Sequence, residues 1–161
     1  MYFIPKTVMF FMVPIMGRYK NDLKWTISVF KKVIIANAII CSFIAIVMAV
    51  LSNIIINLIY GEQYINSVPC YLILIIGFAI YGILQTPSSN VLTIQEKLRV
   101  VLITSVCGAV INIVLNILLI NMLGALGAAI ATVSSHLFVG VILMCYFIFF
   151  AKKYNKLKEI C

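Results

Sequence analysis

Between Arg99 and Lys152 the chain runs for 52 residues without a single Asp, Glu, Lys or Arg. As one straight helix at ~1.5 Å per residue this stretch would measure roughly 78 Å, more than twice the ~30 Å of bilayer hydrocarbon. It must fold back, and the NMLG sequence at 121–124 supplies an Asn and a Gly as turn chemistry between two runs of suitable length. Two more uncharged runs, 29 residues between Lys32 and Glu62 and 33 between Glu62 and Glu96, each exceed the ~20 residues that a spanning helix needs. The pattern predicts four full transmembrane helices, at about 33–59, 66–94, 100–121 and 125–150.

Composition closes the soluble alternative. The 161 residues are 65% hydrophobic and 10% charged, against about a quarter charged in an ordinary soluble domain. A globule of ~150 residues still leaves ~30% of its unfolded surface wet, and there are too few charges here to cover it. The expected fold class is all-α: a polytopic membrane helix bundle of four full spans plus a partial first one, forming a single membrane domain over 1–161.

The first stretch differs from the others. Residues 7–17 provide only 11 residues of apolar chain, with Pro5 and Lys6 before it and Pro14 inside it. Its charges follow the apolar run and no small-residue cleavage site appears, so it makes a poor secretory signal. It reads as a partial span at about 3–17 whose beginning is missing or frayed.

Counting basic residues by loop gives an orientation. Arg18, Lys20, Lys24, Lys31 and Lys32 follow the first stretch, Lys97 and Arg99 follow the third, and Lys152, Lys153, Lys156 and Lys158 occupy the tail at 151–161. The intervening turns at 61–66 and 121–124 have none. Eleven of the twelve basic residues thus fall on alternate sides, as the positive-inside rule expects, which predicts a cytoplasmic C-terminus. The net charge of +8 is accounted for by topology; with no basic stripe or interleaved aromatic platform, nucleic acid is not an expected partner. The basic connector at 18–32 reads either as a cytoplasmic helix lying on the anionic leaflet or as a solvated link, with Trp25 an interface anchor in both cases.

Polar groups inside the spans carry whatever chemistry the chain has, because hydrocarbon makes them costly unless they face a cavity or another helix. In the third span, Gln85-Thr86-Pro87-Ser88-Ser89-Asn90 surrounds a helix-breaking proline with hydrogen-bonding side chains. It is either a kink packed against neighbours, the preferred reading, or a kinked helix lining a cavity. Asn112 and Asn116 share one face of the fourth span with Ser105 and Gly108; hydrogen bonding between helices is preferred over lining a path. The fifth span has two small-residue ladders, Gly127/Ala131/Ser135 and Gly124/Ala128/Thr132/His136/Gly140, which predict close helix packing. His136, the only histidine, is either a donor between helices, the preferred reading, or a proton-coupling group. Lys6 either snorkels to the outer surface, or lies at depth where it meets an anionic group such as a phosphate. Lys6, Gln85, Asn112 and Asn116 are therefore the substrate-path candidates, and Gly124, Gly127, Ala128 and Ala131 the packing candidates.

Cys41, Cys70, Cys107, Cys145 and Cys161 are scattered without C-x-x-C spacing, which supports neither disulfides nor a metal site; they read as packing residues. No cofactor is called for. No motif joins a nucleophile, a base and an oxyanion donor, so enzymatic activity is not expected.

At 112–132, NIVLNILLINMLGALGAAIAT, the chain resembles the C-terminal membrane domain of polysaccharide flippases, the O-antigen and capsule exporters of the Wzx type. The likeness lies in an Asn pair four apart, then Gly, then Gly-Ala-Ala and Ala-Thr opening the next helix. Pro14 before a basic loop, the exterior YGEQYINS at 60–67 and the cytoplasmic IQEKLR at 94–99 agree in order. Such flippases share a superfamily with multidrug extruders, and have two lobes of about six helices around a central cavity. The resemblance implies a multi-pass protein of the bacterial cytoplasmic membrane that moves a polyprenyl-diphosphate-linked oligosaccharide to the outer leaflet for O-antigen or capsule synthesis. It covers the later part of the family's length, the C-terminal lobe without its start. Such a lobe should not transport alone. The chain then reads as the product of a truncated gene, the preferred account, or as a half that pairs with a second copy or a separate N-terminal lobe. A multidrug-extruder fragment and a small non-transporting membrane scaffold are the alternatives; the lack of intramembrane acids counts against the extruder.

Overall fold

The computed structural model describes residues 3–19 and 22–158, and the side chains within them except at 3–5, 8, 23 and 153–158. The described residues fold as an all-helical bundle. Helix α1 spans Phe3–Arg18, α2 Leu23–Val50 and α3 Ser52–Tyr60. A 3-10 turn at Glu62–Ser67 leads into α4 (Val68–Ile80), which continues through a π turn at Tyr81–Gln85 into α5 (Thr86–Ile94). The long helices α6 (Leu98–Leu123) and α7 (Ala125–Lys158) complete the chain.

Among the described residues four helices are long and apolar enough to cross a membrane: Lys24–Val50, Glu62–Ile94, Leu98–Leu123 and Ala125–Lys152; the shorter Met9–Arg18 is also apolar. Their outer faces are bare hydrocarbon. Phe10 is 77% exposed, Leu58 84% and Met122 80%, and α6 turns Ile103, Val106, Val110, Ile113 and Ile117 outward as well. An apolar surface of this extent is stable only against lipid tails or another protein.

The helix boundaries differ from the charge-free runs at the C-terminal end, where α7 runs on through the cationic tail to Lys158, and in two further places. The chain enters α2 at Leu23, so most of the basic connector is the helix's own first turns rather than a separate surface element. Asp22 caps it by accepting the Trp25 amide at 3.1 Å, and Thr26 and Phe30 are buried against the bundle. Lysines do not end a helix, since their stems extend along its side to reach water. The run at 33–59 is also interrupted instead of forming one helix. Leu51 leaves helical geometry (ψ 2°) between α2 and α3, while its N–H still bonds Val47 and its carbonyl still accepts from Ile55.

The other turns follow the sequence chemistry. Pro69 sits in the first turn of α4, where its missing N–H costs nothing. Gly124 ends α6 at φ 58°, where a Cβ would be strained, and lets α7 run back antiparallel beside it. The main core lies at one end of the bundle, where Met16, Phe30, Val91, Leu92, Val139, Leu143 and Phe147 pack together. That end also gathers the cations of separate loops: Lys97 Nζ lies 5.4 Å from the Phe150 ring centroid, and Lys31 and Lys152 flank one groove.

Candidate functional site

The site is built around Pro87. In an unbroken α-helix the Gly82 carbonyl would accept from the amide of Thr86, but that amide reaches back to Tyr81 and closes a π turn. In the π register the next available donor would be residue 87, and proline has none. The Gly82 carbonyl is thereby orphaned inside the bundle, and Asn37 of α2, fully buried, donates Nδ2 to it at 3.3 Å. The polar run beside Pro87 bonds locally, to carbonyls of its own helix and of the π turn other than Gly82. Thr86 Oγ1 donates to the Tyr81 carbonyl at 3.1 Å, and Ser89 Oγ and Asn90 Nδ2 donate to the Thr86 carbonyl at 3.1 and 2.8 Å.

The π turn presents Tyr81 and Gln85 to α7. His136 Nδ1 lies 3.0 Å from Gln85 Oε1, a hydrogen bond across 51 residues of chain, and the imidazole meets the Tyr81 ring edge-on at 5.1 Å. On the other side of Tyr81, Lys6 Nζ stands 6.0 Å from the ring centroid, at the outer limit of cation–π attraction. Contact is close here because Gly140 of α7 has no side chain: a Cβ would come within 3.0 Å of Leu84 Cβ.

Two cavities are lined by these residues, Lys6 and Tyr81 in one and Gln85 and His136 in the other. The larger, about 630 Å³, is bounded by α1, the π turn and α5 and offers Lys6, Tyr81, Thr86, Ser89 and Asn90. The smaller, about 290 Å³, lies between the π turn, α6 and α7 and offers Gln85, Ser105, Asn112, Thr132, Ser135 and His136. Such volumes, at and below the ~300–1,000 Å³ of ligand sites, hold part of a large substrate rather than all of it.

The structure thus brings Lys6, Gln85, Asn112 and His136 to one seam. Asn116 stands apart from the cavity lining: its Nδ2 donates to the carbonyl and Oδ1 of Asn112, both at 2.9 Å, so the asparagine pair bonds within α6 rather than across to a neighbour. On α7, Ala131 is fully buried and Ala128 partly so, and a Cβ at Gly127 would strike the Leu119 carbonyl of α6. Gly124 differs from the packing role expected of it, for it is exposed, with open space where a Cβ would stand. Its place in the ladder is a coincidence of spacing, because α7 begins only after it. Tyr81 and Asn37 were not singled out from sequence. One available signal was that Gly82 lies five residues before Pro87 and so loses its donor in a π turn.

The MatE sequence family matches residues 20–118, more than half of the chain. The chain belongs to the MatE family. The MatE family comprises membrane transporters, not enzymes. A curated relative, the uncharacterized membrane protein MJ1068 of Methanocaldococcus jannaschii, is 31% identical over 141 residues, which are 88% of this chain and 26% of that protein. The chain therefore spans about a quarter of the length of the curated relative it matches. No solved structure matches it. The MatE match takes in Asn37, the π turn, Gln85 and Asn112, whereas Lys6 and His136 lie outside the matched residues.

Proposed function

We propose that this chain supplies the C-terminal part of a MatE-family flippase that moves a polyprenyl-diphosphate-linked oligosaccharide across the cytoplasmic membrane for O-antigen or capsule assembly. The observation that carries the reading is the polar seam running from Lys6 over Tyr81 to the His136–Gln85 pair and Asn112 in a bundle with apolar outer faces. An ammonium at one end of the seam suits a diphosphate, and the amide and hydroxyl groups along it suit sugar hydroxyls. Hydrocarbon tolerates such groups where they line a path.

In this reading the seam faces a second lobe, either a separate N-terminal half or another copy, and rocking between the lobes gives alternating access. The C-terminus stands in the cytoplasm and the basic ends of the helices with it. No residue acts as a chemical catalyst; the chain binds, orients and releases.

The test uses a full-length parent carrying this sequence in a bacterium that displays the glycan. Lys6→Ala and Asn112→Leu together are expected to cut surface glycan at least tenfold, with membrane insertion of the transporter unchanged. Normal export with both changed would remove the seam from the path. Loss of drug tolerance with glycan unchanged would instead support a multidrug extruder.

A further inference from the structure

A second groove, sharing no residue with the polar seam, lies where α2 packs on the end of α7. Its volume is about 320 Å³. The rings of Phe30 and Phe147, centroids 4.3 Å apart and tilted by 55°, form its floor, and Ile27 and Ile34 line its α2 wall. At the rim stand Lys31 from α2 and Lys152 from α7, both exposed. Among the described residues no Asp or Glu lines this groove.

We infer that this groove binds an anionic phospholipid, with the phosphodiester headgroup between Lys31 and Lys152 and an acyl-chain segment laid over Phe30 and Phe147. Two ammonium groups at the edge of an apolar trough on a membrane helix present both halves of that ligand in the right order. The volume is small for a whole lipid and suits one stretch of chain, with the remainder in the bilayer. A free phosphate would gain nothing from the aromatic floor. The lipid would tie α2 to α7 at the end of the bundle that holds the main core. This inference does not depend on the transported substrate.

The purified chain in detergent micelles is offered palmitoyl-oleoyl phosphatidylglycerol or phosphatidylcholine, which differ in headgroup charge but not in acyl chains, and native mass spectrometry counts the lipids retained. Phosphatidylglycerol should be retained about tenfold or more over phosphatidylcholine, since each lysine near a lipid surface contributes about fivefold. Lys31→Gln with Lys152→Gln should bring the ratio close to one; Arg18→Gln with Arg99→Gln, cations that do not line the groove, should leave it high. Ile148→Trp, which narrows the groove without touching a charge, should lower retention of both lipids. Excess sn-glycerol 3-phosphate should displace neither. Equal retention of the two lipids, an undiminished ratio in the double lysine variant, an equal fall in the control pair, unchanged retention in Ile148→Trp, or displacement by glycerol phosphate would each overturn the assignment.

Discussion

His136 on α7 and Gln85 in the π turn share a hydrogen bond of 3.0 Å between Nδ1 and Oε1, although 51 residues separate them. The bond joins the π turn to α7 at the smaller cavity. Interhelical bonds of this kind contribute about 0.6–2 kcal/mol in a membrane. Gln85→Leu and His136→Leu should each destabilise the detergent-solubilised chain by about 1 kcal/mol, and the double variant by less than their sum. The comparison is made by thermal unfolding of all four forms. Strict additivity would show that the two side chains do not support one another.

The π turn predicts a different coupling. Asn37→Leu removes the donor to the orphaned Gly82 carbonyl, at a cost of about 1–3 kcal/mol for a buried acceptor left alone. The cost should lie near the lower end, because Asn37 Oδ1 is itself buried with no hydrogen-bond partner and the change removes it. Pro87→Ala restores a backbone N–H at the position where the π register needs one. Asn37→Leu should therefore cost less in the Pro87→Ala background than alone, by about 1 kcal/mol. An equal cost in both backgrounds would mean that Asn37 and Pro87 serve unrelated ends.

These couplings mark the boundary of what the sequence made legible. Spans were readable because excluding charge from hydrocarbon acts along the chain, residue by residue, and the turn at Gly124 was readable because an Asn and a Gly interrupt a run too long for one crossing. The start of α2 was hidden, since lysines on a helix face are compatible with both a connector and a first turn. The interruption at Leu51 follows no proline or glycine. Lys6, Gln85, Asn112 and His136 could be singled out because polar groups are conspicuous in apolar runs, but their convergence depends on which helix faces which. Asn37, an amide in the apolar run at 33–59, carried the same signal and was passed over, whereas Tyr81 takes its place only from the contacts that the fold makes.

Orientation gives a prediction independent of the seam. The cations of separate loops collect at one end of the bundle, and the turn at Glu62–Ser67 lies at the other end of the helix that closes at Ile94. With the native cysteines replaced by alanine, Gln63→Cys should react with an impermeant maleimide in intact cells, and Arg99→Cys only after the membrane is opened. Both positions are exposed, so access is governed by the membrane rather than by packing. Labelling of Arg99→Cys in intact cells would reverse the orientation.

Three glycines on and between α6 and α7 rank themselves by what a methyl group would meet. At Gly108 it meets Cγ2 of Val139, the end of a side chain that can swing off its rotamer at about 0.5–1.5 kcal/mol, and alanine returns about 1 kcal/mol of helix propensity. Gly108→Ala should be near neutral. At Gly127 the methyl meets the Leu119 carbonyl, which is backbone, so α6 and α7 must part where they enter their hairpin. Gly127→Ala should cost about 1–3 kcal/mol, the usual cost of overpacking. At Gly124 nothing is in the way, and Gly124→Ala should cost about 1–3 kcal/mol through its positive φ alone. The two glycines whose methyl would clash, Gly108 and Gly127, separate in a second step. Leu119→Ala leaves the carbonyl in place and cannot relieve Gly127→Ala, whereas Val139→Ala should relieve whatever cost Gly108→Ala shows. Unfolding of these variants in detergent measures the order, and a Gly108→Ala loss as large as that of Gly127→Ala would mean that Val139 is held as rigidly as the backbone.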